Sequence, residues 1–345
     1  MKAAVAVRPG GPEVLELTEL PRPKPGRGEA LVRLHASSIN HVDVWARTGA
    51  IPHSGRFPRV LGADGAGTVE EVGDEVDPSV LNTRVLLYPL VTCGSCEPCM
   101  EGRENLCDDL KMLGVHLPGT YAEYVKLPAE NLVPIPDEMD FTTASTLGVA
   151  YLTAWTAVRA ADVGVGRSVF IPGATGGFGT AAVRFSLALG ATVLASTASP
   201  QKAQRLKETG VKHVIDANVR DLAEEVRRVT GGSGVDAALD SVGSATFLQS
   251  LRAVRKGGKV VTIGATTGKE VQLDLRFVFA NGLNISGVYM GTRKELAEIV
   301  KWVTEGRVRP VIDSVYSLEE VAEAHSRVDG RLAFGKVVLR PTGSA

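Results

Sequence analysis

Residues 171–179 read Ile-Pro-Gly-Ala-Thr-Gly-Gly-Phe-Gly, a glycine-rich turn between a short apolar stretch and a longer amphipathic one. Ser168–Ile171 has the composition of a strand, and Gly177–Leu189 has the pattern of a helix that ends at Gly190. Glycines let backbone N–H groups approach an anion, and the helix N-terminus adds partial positive charge. A strand, such a turn and a helix together predict a site for the pyrophosphate of a dinucleotide, although a glycine-rich turn alone is often only a sharp corner.

The turn matches the dinucleotide fingerprint as Ala174-x-Gly176-x-x-Gly179, with alanine at the first glycine position. The residues expected to line the cofactor here are Gly173, Ala174, Thr175, Gly176, Gly177, Phe178 and Gly179.

Strands and helices alternate on both sides of this turn. The expected strands are 191–196, 213–215, 235–239 and 259–263. The expected helices are one that begins after Ser199 and those at 221–229 and 245–254. This alternation predicts a parallel, doubly wound sheet. Ligands bind outside the carboxyl ends of such strands, so Ser241, Val242, Gly264 and Ala265 are also expected to face the cofactor.

The first 140 or so residues have a different pattern, with short strands broken by Gly and Pro. The expected strands are 3–7, 30–34, 67–72, 84–87 and 121–125, which favour an all-β, barrel-like unit. The tail adds helices near 295–304 and 318–327 and a last strand, 336–339.

The end of the second strand of the parallel sheet predicts the cofactor. NAD sites usually place an acidic residue there for the ribose 2′-OH, whereas this chain has Ser196, Thr197 and Ser199, followed by Lys202. Hydroxyls and a cation suit a 2′-phosphate, so NADP(H) is expected, with NAD(H) as the alternative. The other interpretation is that Lys202 lies on a solvated helix face.

All four cysteines of the chain fall in one segment, at Cys93, Cys96, Cys99 and Cys107. Four clustered thiolates suit tetrahedral zinc, and four sulfur ligands leave no open position, so a single structural Zn²⁺ is expected. The alternatives are reduced thiols or two local disulfides.

Length and charge set further limits. A chain of 345 residues suggests two domains, and a net charge of −1 gives no basic excess for binding nucleic acid or anionic membranes. The apolar run at the start is too short for a signal peptide, and no stretch is a convincing membrane span. A cytoplasmic protein is expected.

The four-cysteine loop, the glycine turn and Leu61–Gly67 (LeuGlyAlaAspGlyAlaGly) together resemble the medium-chain dehydrogenase/reductase superfamily. The resemblance implies an α/β protein with a GroES-like, β-barrel-type catalytic domain at 1–148 and 290–345 and a doubly wound Rossmann domain at 149–289. It also implies a homodimer or homotetramer.

Zinc alcohol dehydrogenases of this superfamily carry a second, catalytic zinc, and the resemblance indicates where its ligands would stand. Asn40-His41-Val42-Asp43 replaces a motif that begins with Cys, Ala63-Asp64 replaces His-Glu, and the third ligand falls at or beside Gly148 and Val149. A rebuilt site from His41, Asp43 and Asp64 is the alternative.

Without that zinc, a substrate that carries its own electron sink is expected, since zinc normally stabilises the alkoxide in alcohol oxidation. The chain resembles the zinc-free quinone oxidoreductase branch, because Asn40, Asp43, Thr153 and Lys202 match residues of that branch. It departs from the branch at Trp45 and Ala217, where tyrosines are common. The expected substrate is an enone, quinone or carbonyl compound.

The expected catalytic residues are Asn40, His41 and Asp43. Asn40 would donate to a carbonyl oxygen or satisfy its local backbone, His41 would relay a proton, and Asp43 would hold the loop. The alternative functions are a zinc-type alcohol dehydrogenase or carbonyl reductase with an altered site, and a non-catalytic NADPH-binding protein.

Overall fold

The computed structural model describes residues 1–51 and 56–341, and the chain divides into two compact units. The first unit comprises Met1–Leu152, Thr292–Gly306 and Ile312–Ala345, and the second comprises Thr153–Gly291 and Arg307–Val311. These boundaries lie close to those expected at 148/149 and 289/290. The grouping of Arg307–Val311 with the second unit had no signal in the sequence.

Short strands dominate the first part of the chain: β1 Lys2–Ala6, β2 Leu15–Glu19, β3 Glu29–Ser38, β4 Arg59–Val60, β5 Asp64–Val72, β6 Arg84–Leu87, β7 Leu90–Val91, β8 Lys111–Met112, β9 Tyr124–Pro128 and β10 Leu132–Pro134. The helices of this part are α1 His41–Thr48, α2 Glu97–Met100 and α3 Phe141–Ala144, and a turn of π-helix, Leu147–Tyr151, follows them.

The middle of the chain alternates between helices and strands: α4 Leu152–Ala160, β11 Ser168–Ile171, α5 Gly177–Ala188, β12 Thr192–Thr197, α6 Pro200–Glu208, β13 His213–Asp216, α7 Leu222–Val229, β14 Val235–Asp240, α8 Phe247–Ala253, β15 Val254–Thr262, α9 Leu275–Ala280 and β16 Asn284–Gly287. The tail contains α10 Arg293–Thr304, β17 Ile312–Ser317, α11 Val321–Asp329 and β18 Lys336–Arg340.

The second unit has the expected parallel sheet, with six strands in the order β13-β12-β11-β14-β15-β16. The order reverses direction at β11, so the doubly wound Rossmann-type fold is confirmed. Buried side chains such as Phe170, Leu194, Ala238 and Val260 fill the core beside this sheet.

The main sheet of the first unit has seven strands, in the order β10-β6-β5-β3-β18-β17, with β9 also paired to β3. Its core includes Ala30, Val32, Leu34 and Val85. The last strand of the chain, β18, pairs antiparallel with β3 through Val338 opposite Ser38. This pairing brings residues near position 336 beside residues near position 40.

The expected strands of this unit need correction at their ends, and one helix was not predicted. The strand expected at 30–34 extends to Ser38, and the strand expected at 121–125 begins at Tyr124. Helix α1 was not predicted, because its β-branched Val42 and Val44 reduce the helical signal. Within the described residues, no helix combines the length and apolar character that a membrane crossing requires.

Candidate active site

The four cysteine sulfurs converge in the first unit. Their Sγ atoms all lie within 4.8 Å of one another, and the Cys107 and Cys93 sulfurs are 3.5 Å apart. Gly94 and Gly102 both have left-handed φ angles of 71° and 73°, which lets the loop wrap tightly. No disulfide joins any of the four cysteines, so the structure does not support the alternative of two local disulfides.

This cluster fits a structural zinc ion. Thiolates at the usual Zn–S distance of about 2.3 Å form a tetrahedron whose edges are about 3.8 Å long, which is compatible with the observed spacing. In residues 1–51 and 56–341 it is the only group of three or more His, Cys, Asp or Glu whose ligand atoms come close enough to hold a metal ion. His41, Asp43 and Asp64, the alternative metal site, do not form such a group.

Asn40 precedes helix α1 and is nearly buried, with 8% of its surface exposed. Its Nδ2 donates to Asp64 Oδ2 at 2.8 Å and to Ser38 O at 3.3 Å, and its Oδ1 accepts from Lys336 Nζ at 2.5 Å. Both ends of the amide are therefore engaged within the unit. This geometry favours the local role that the sequence left open, and donation to a substrate carbonyl stays a prediction.

Asp64 and Lys336 form a completely buried ion pair, with their side chains 0% and 1% exposed and Nζ and Oδ2 3.1 Å apart. Asp64 Oδ2 also accepts from Ser38 Oγ at 2.8 Å. Asp64 Oδ1 lies only 2.7 Å from where a Cβ on Gly148 would stand. The carboxylate thus packs against the position where a third zinc ligand would be expected, and a side chain at 148 would collide with it.

Asp43 is fully buried and holds the segments around it together. Its Oδ2 accepts from Asn40 N at 2.8 Å and from Tyr121 Oη at 3.0 Å, and its Oδ1 accepts from Ala63 N at 3.1 Å. Burial and the nearby charge of Asp64 raise the pKa of Asp43 to about 7, against the effect of the donors. These contacts agree with the expected role of Asp43 in holding the loop. Its importance for catalysis stays a prediction.

His41 is the member of the expected catalytic set that keeps part of its surface exposed, although protein atoms surround much of its ring. Desolvation lowers the pKa of His41 from its ordinary value, the charges of Arg331 and Lys336 lower it further, and Asp329 acts in the opposite direction. The neutral imidazole is therefore favoured near neutral pH, and one ring nitrogen can donate while the other accepts. This makes His41 the residue of the set that is best placed to exchange a proton with a bound molecule.

A second buried group supports α1, and the sequence did not predict it. Arg47, at 1% exposure, donates to His325 Nδ1 at 2.8 Å, to Asp329 Oδ2 at 2.5 Å and to Gly10 O at 3.1 Å. Burial and the charge of Arg47 lower the pKa of His325 to about 3. The sequence showed no partner for His325 because the contact joins residues 278 positions apart.

In the second unit, the glycine turn is closely packed at Gly173 and Gly179 and open at Gly176. A Cβ on Gly179 would lie 2.6 Å from the backbone of Ala174, and a Cβ on Gly173, where φ is 62°, would lie 2.8 Å from Val242 Cγ2. A Cβ on Gly176 would meet nothing within 4 Å, so space beside the start of α5 is open. The first N–H groups of α5 lack helical partners and suit an anion there.

The end of β12 differs from the expectation in one respect. Ser196 is 0% exposed and its hydroxyl is sealed inside the protein, and Thr197 is also buried, at 7%. Ser196 is therefore corrected from a phosphate contact to a core residue. Ser199 caps α6, accepting from Lys202 N at 3.3 Å, and both residues are partly exposed, so they remain the candidates for a 2′-phosphate.

The other expected cofactor residues lie as follows. Ser241, Val242, Gly264 and Ala265 follow β14 and β15 and are partly exposed, whereas Thr153 is buried in α4. A Cβ on Gly264 would lie 2.8 Å from Ser241 O, so the two strand ends pack closely. Asp240 directs its carboxylate inward, to Val242 N and Gly243 N at 2.9 Å each, and so shapes this turn.

Comparisons with known proteins agree with this architecture. A profile described as zinc-binding dehydrogenase matches residues 209–339, and one described as alcohol dehydrogenase GroES-like domain matches residues 26–137. An alcohol dehydrogenase of Geobacillus stearothermophilus is 32% identical over 341 residues, which cover 99% of each chain. Acryloyl-coenzyme A reductase of Sulfurisphaera tokodaii is 30% identical over 346 residues, which cover 99% of this chain and 100% of the relative. A crystal structure of a NAD-dependent alcohol dehydrogenase is similar, with a TM-score of 0.94, 40% identity and 99% coverage of both chains.

The chain therefore belongs to the medium-chain dehydrogenase/reductase superfamily. Within it, the protein is an NAD(P)-dependent oxidoreductase. The non-catalytic alternative is set aside on this ground.

Proposed function

We propose that this oxidoreductase uses NADP(H) to transfer hydride to an activated C=C bond or a quinone, and that it does so without a catalytic metal. The single observation that carries the proposal is the closed cluster of Asn40, Asp64 and Lys336. Asp64 Oδ2 accepts three hydrogen bonds and Asn40 Oδ1 accepts from an ammonium group, so both oxygens are already engaged by the protein, whereas the buried Asp64 Oδ1 has no hydrogen-bond partner. A buried ammonium 3.1 Å from Asp64 also repels a divalent cation.

The proposed reaction is one that needs no metal ion at this cluster. When bound, NADPH would supply a hydride. The substrate would accept it at the β-carbon, the C=C electron pair would move toward the carbonyl oxygen, and the α-carbon would take a proton. His41 would supply a donor for the developing enolate oxygen, and the backbone N–H groups of the first turn of α1 are further candidate donors. Asn40 and Asp43 hold that turn in place, and water supplies the proton to carbon.

One relative supports this substrate class. Acryloyl-coenzyme A, which the Sulfurisphaera tokodaii relative is named for reducing, is an α,β-unsaturated thioester. The same chemical feature, a C=C bond conjugated to a carbonyl, defines the class proposed for this chain.

The deciding assay follows NADPH absorbance against enones, an enoyl thioester, quinones and aldehydes, with simple alcohols and NADP in the reverse direction. We expect C=C or quinone reduction to exceed alcohol oxidation. His41→Ala should lower kcat by roughly 10²-fold, as loss of one donor to a developing oxyanion does. Thr48→Ala, at the exposed far end of α1, is the matched control and should leave kcat unchanged. Chelator-sensitive alcohol oxidation that exceeds every C=C and quinone rate would overturn the proposal.

A second candidate is an alcohol dehydrogenase or carbonyl reductase with an altered site. The names of the relatives from Geobacillus stearothermophilus and of the 40% identical structure favour it. It predicts about two zinc ions per chain, one at the cysteine cluster and one near Asn40. Elemental analysis of the purified protein separates the two candidates, because the first predicts about one.

We further propose that the chain forms a homo-oligomer through the edge strand β16. All four of its residues are exposed, and the apolar side chains of Leu275, Phe279 and Ile285 are exposed at 71%, 73% and 39% on the same unit. An uncharged edge with nearby apolar side chains is a template for pairing with another copy. Ile285→Lys should lower the oligomeric state seen by light scattering, and an unchanged mass would exclude this edge.

A further inference from the structure

Strand β18 runs directly beside the segment that leads into α1. Ile39 N donates to Val337 O at 2.9 Å, and Ser38 pairs with Val338. Lys336, the first residue of β18, is 1% exposed although it carries a charge. A lysine is almost never buried to this degree unless every donor has a partner.

All three ammonium hydrogens of Lys336 have partners in the first unit. Nζ donates to Ile39 O at 3.0 Å, to Asn40 Oδ1 at 2.5 Å and to Asp64 Oδ2 at 3.1 Å. Two of these acceptors belong to the two residues that immediately precede His41. The third belongs to the first residue of β5, so one side chain ties together β18, β5 and the start of α1.

The contacts also determine how the Asn40 amide is oriented. With Oδ1 turned to the ammonium, Nδ2 is turned to Asp64 Oδ2 and Ser38 O. A neutral or shorter side chain at 336 would leave Asn40 Oδ1 and one Asp64 oxygen without their charged donor. The Asn40 amide and the Asp64 carboxylate would then rearrange to find other donors. The backbone before His41 would also lose the hydrogen bond from Lys336 to Ile39 O.

We propose that Lys336 is a positioning residue, whose ammonium group holds Ile39, Asn40 and Asp64 so that His41 keeps its place at the first turn of α1. Lys336 does not act on the substrate itself, because its three N–H groups are all directed to protein oxygens. The inference rests on the proposed function only in assigning His41 to the reacting site.

Three variants test the role, with zinc content checked in each. Lys336→Arg keeps the charge and several donors and should retain most of the activity. Lys336→Met should lower kcat for enone reduction by about 10²-fold, the loss that a small misplacement of a reacting group produces. The KM for NADPH should not change, since Ser199 and Lys202 lie in the other unit.

The double variant Lys336→Met/Asp64→Asn separates positioning from stability, because it removes both buried charges together. Its thermal midpoint should recover relative to Lys336→Met, whereas kcat should stay low. Recovery of kcat together with the midpoint would overturn the proposal, and so would an unchanged kcat in Lys336→Met. Lys126→Met removes a lysine from an exposed ion pair with Glu29 and is the matched control, with kcat expected to stay unchanged.

A measurement without turnover keeps this test distinct from that of the proposed function. The ring resonance of His41, assigned with His41→Gln, should shift or broaden in the double variant at one fixed pH, while the His116 resonance stays in place. An identical His41 resonance would overturn the positioning role, even if the wild-type protein reduces enones. A wild-type protein that reduces no enone or quinone would overturn the proposed function and leave the resonance test intact.

Discussion

The cysteine cluster and the cluster of Asn40, Asp64 and Lys336 lie in the same unit, yet only the first keeps the ligand set of a metal site. The four sulfurs stand within 4.8 Å of one another at a surface loop. In the second cluster, an ammonium and a carboxylate are buried together, and the ammonium and one carboxylate oxygen, Asp64 Oδ2, are hydrogen-bonded within the protein. Under the proposed function, this chain would keep the metal site used for folding and lose the one used in chemistry, where internal polar contacts now occupy most of the polar atoms.

The largest effect is expected at the cysteine cluster. Cys107→Ser should remove the zinc and lower the free energy of unfolding by more than about 3 kcal/mol, since structural zinc contributes on the order of 10 kcal/mol in small zinc-binding peptides. Elemental analysis measures the zinc content, and urea unfolding measures the free energy of unfolding. Ala63→Ser, in the other region, is the control and should keep about one zinc per chain. A Cys107→Ser protein that still holds one zinc per chain would contradict the assignment.

The Asp64–Lys336 pair should give the next largest effect. Asp64→Ala leaves a buried ammonium without its carboxylate, which typically costs about 3–5 kcal/mol. The matched control is Glu319→Ala, which breaks the exposed ion pair with Lys2 and should cost less than about 1 kcal/mol. Urea unfolding gives both values, and zinc content should be unchanged in both variants. Equal costs would show that the buried cluster does not hold the unit together.

The two clusters also differ in how far the sequence predicts them. Three of the four cysteines are spaced three positions apart and the fourth is eight further on, so local spacing alone indicates their convergence. Five of the six strands of the parallel sheet and four helices of the second unit were likewise predicted, because their apolar periodicity is local, whereas β16, α4 and α9 were not. The contact between Lys336 and Asn40 joins residues 296 positions apart, and no pattern near either residue indicates the other. Helix α1 was missed for a different reason, since its β-branched Val42 and Val44 weaken the local helical pattern.

A pH test asks whether the buried polar contacts around α1 set the acid sensitivity of the protein. The pKa of His325 is about 3 in the folded protein and about 6.5 in an unfolded chain, so the unfolded state binds one more proton between these values. The neutral His325 therefore causes no loss of stability above pH 6.5. Below that pH, the free energy of unfolding falls by about 1.4 kcal/mol per pH unit, because the unfolded chain takes up the proton. Asp43, with its pKa raised to about 7, acts in the opposite direction, because the folded state holds the extra proton.

A variant isolates the histidine from Asp43 and from the zinc ligands. His325→Gln offers Arg47 an acceptor but does not titrate, and the other groups contribute equally to both proteins. Urea unfolding at pH 7.5 and 5.5 should therefore show a smaller loss of stability for His325→Gln than for the wild type. Parallel losses in the two proteins would place the acid sensitivity elsewhere, for example in the zinc ligands.

The second unit also combines a feature that matches its family with one that differs, and the smallest effect of a substitution is expected at the one that differs. The glycine turn is retained, whereas Ser199 and Lys202 stand where NAD sites usually carry an acid. Lys202→Ala should weaken NADPH binding by roughly tenfold, about 1.4 kcal/mol, because partial exposure reduces the 1.5–3 kcal/mol typical of charge-assisted hydrogen bonds. NADH binding should not change, because the 2′-hydroxyl presents no charge to the lysine. Gln204→Ala, on the exposed face of the same helix, is the control. Fluorescence titration of both cofactors checks the difference, and wild-type protein that binds NADH as tightly as NADPH would show that the changed strand end does not select a phosphate.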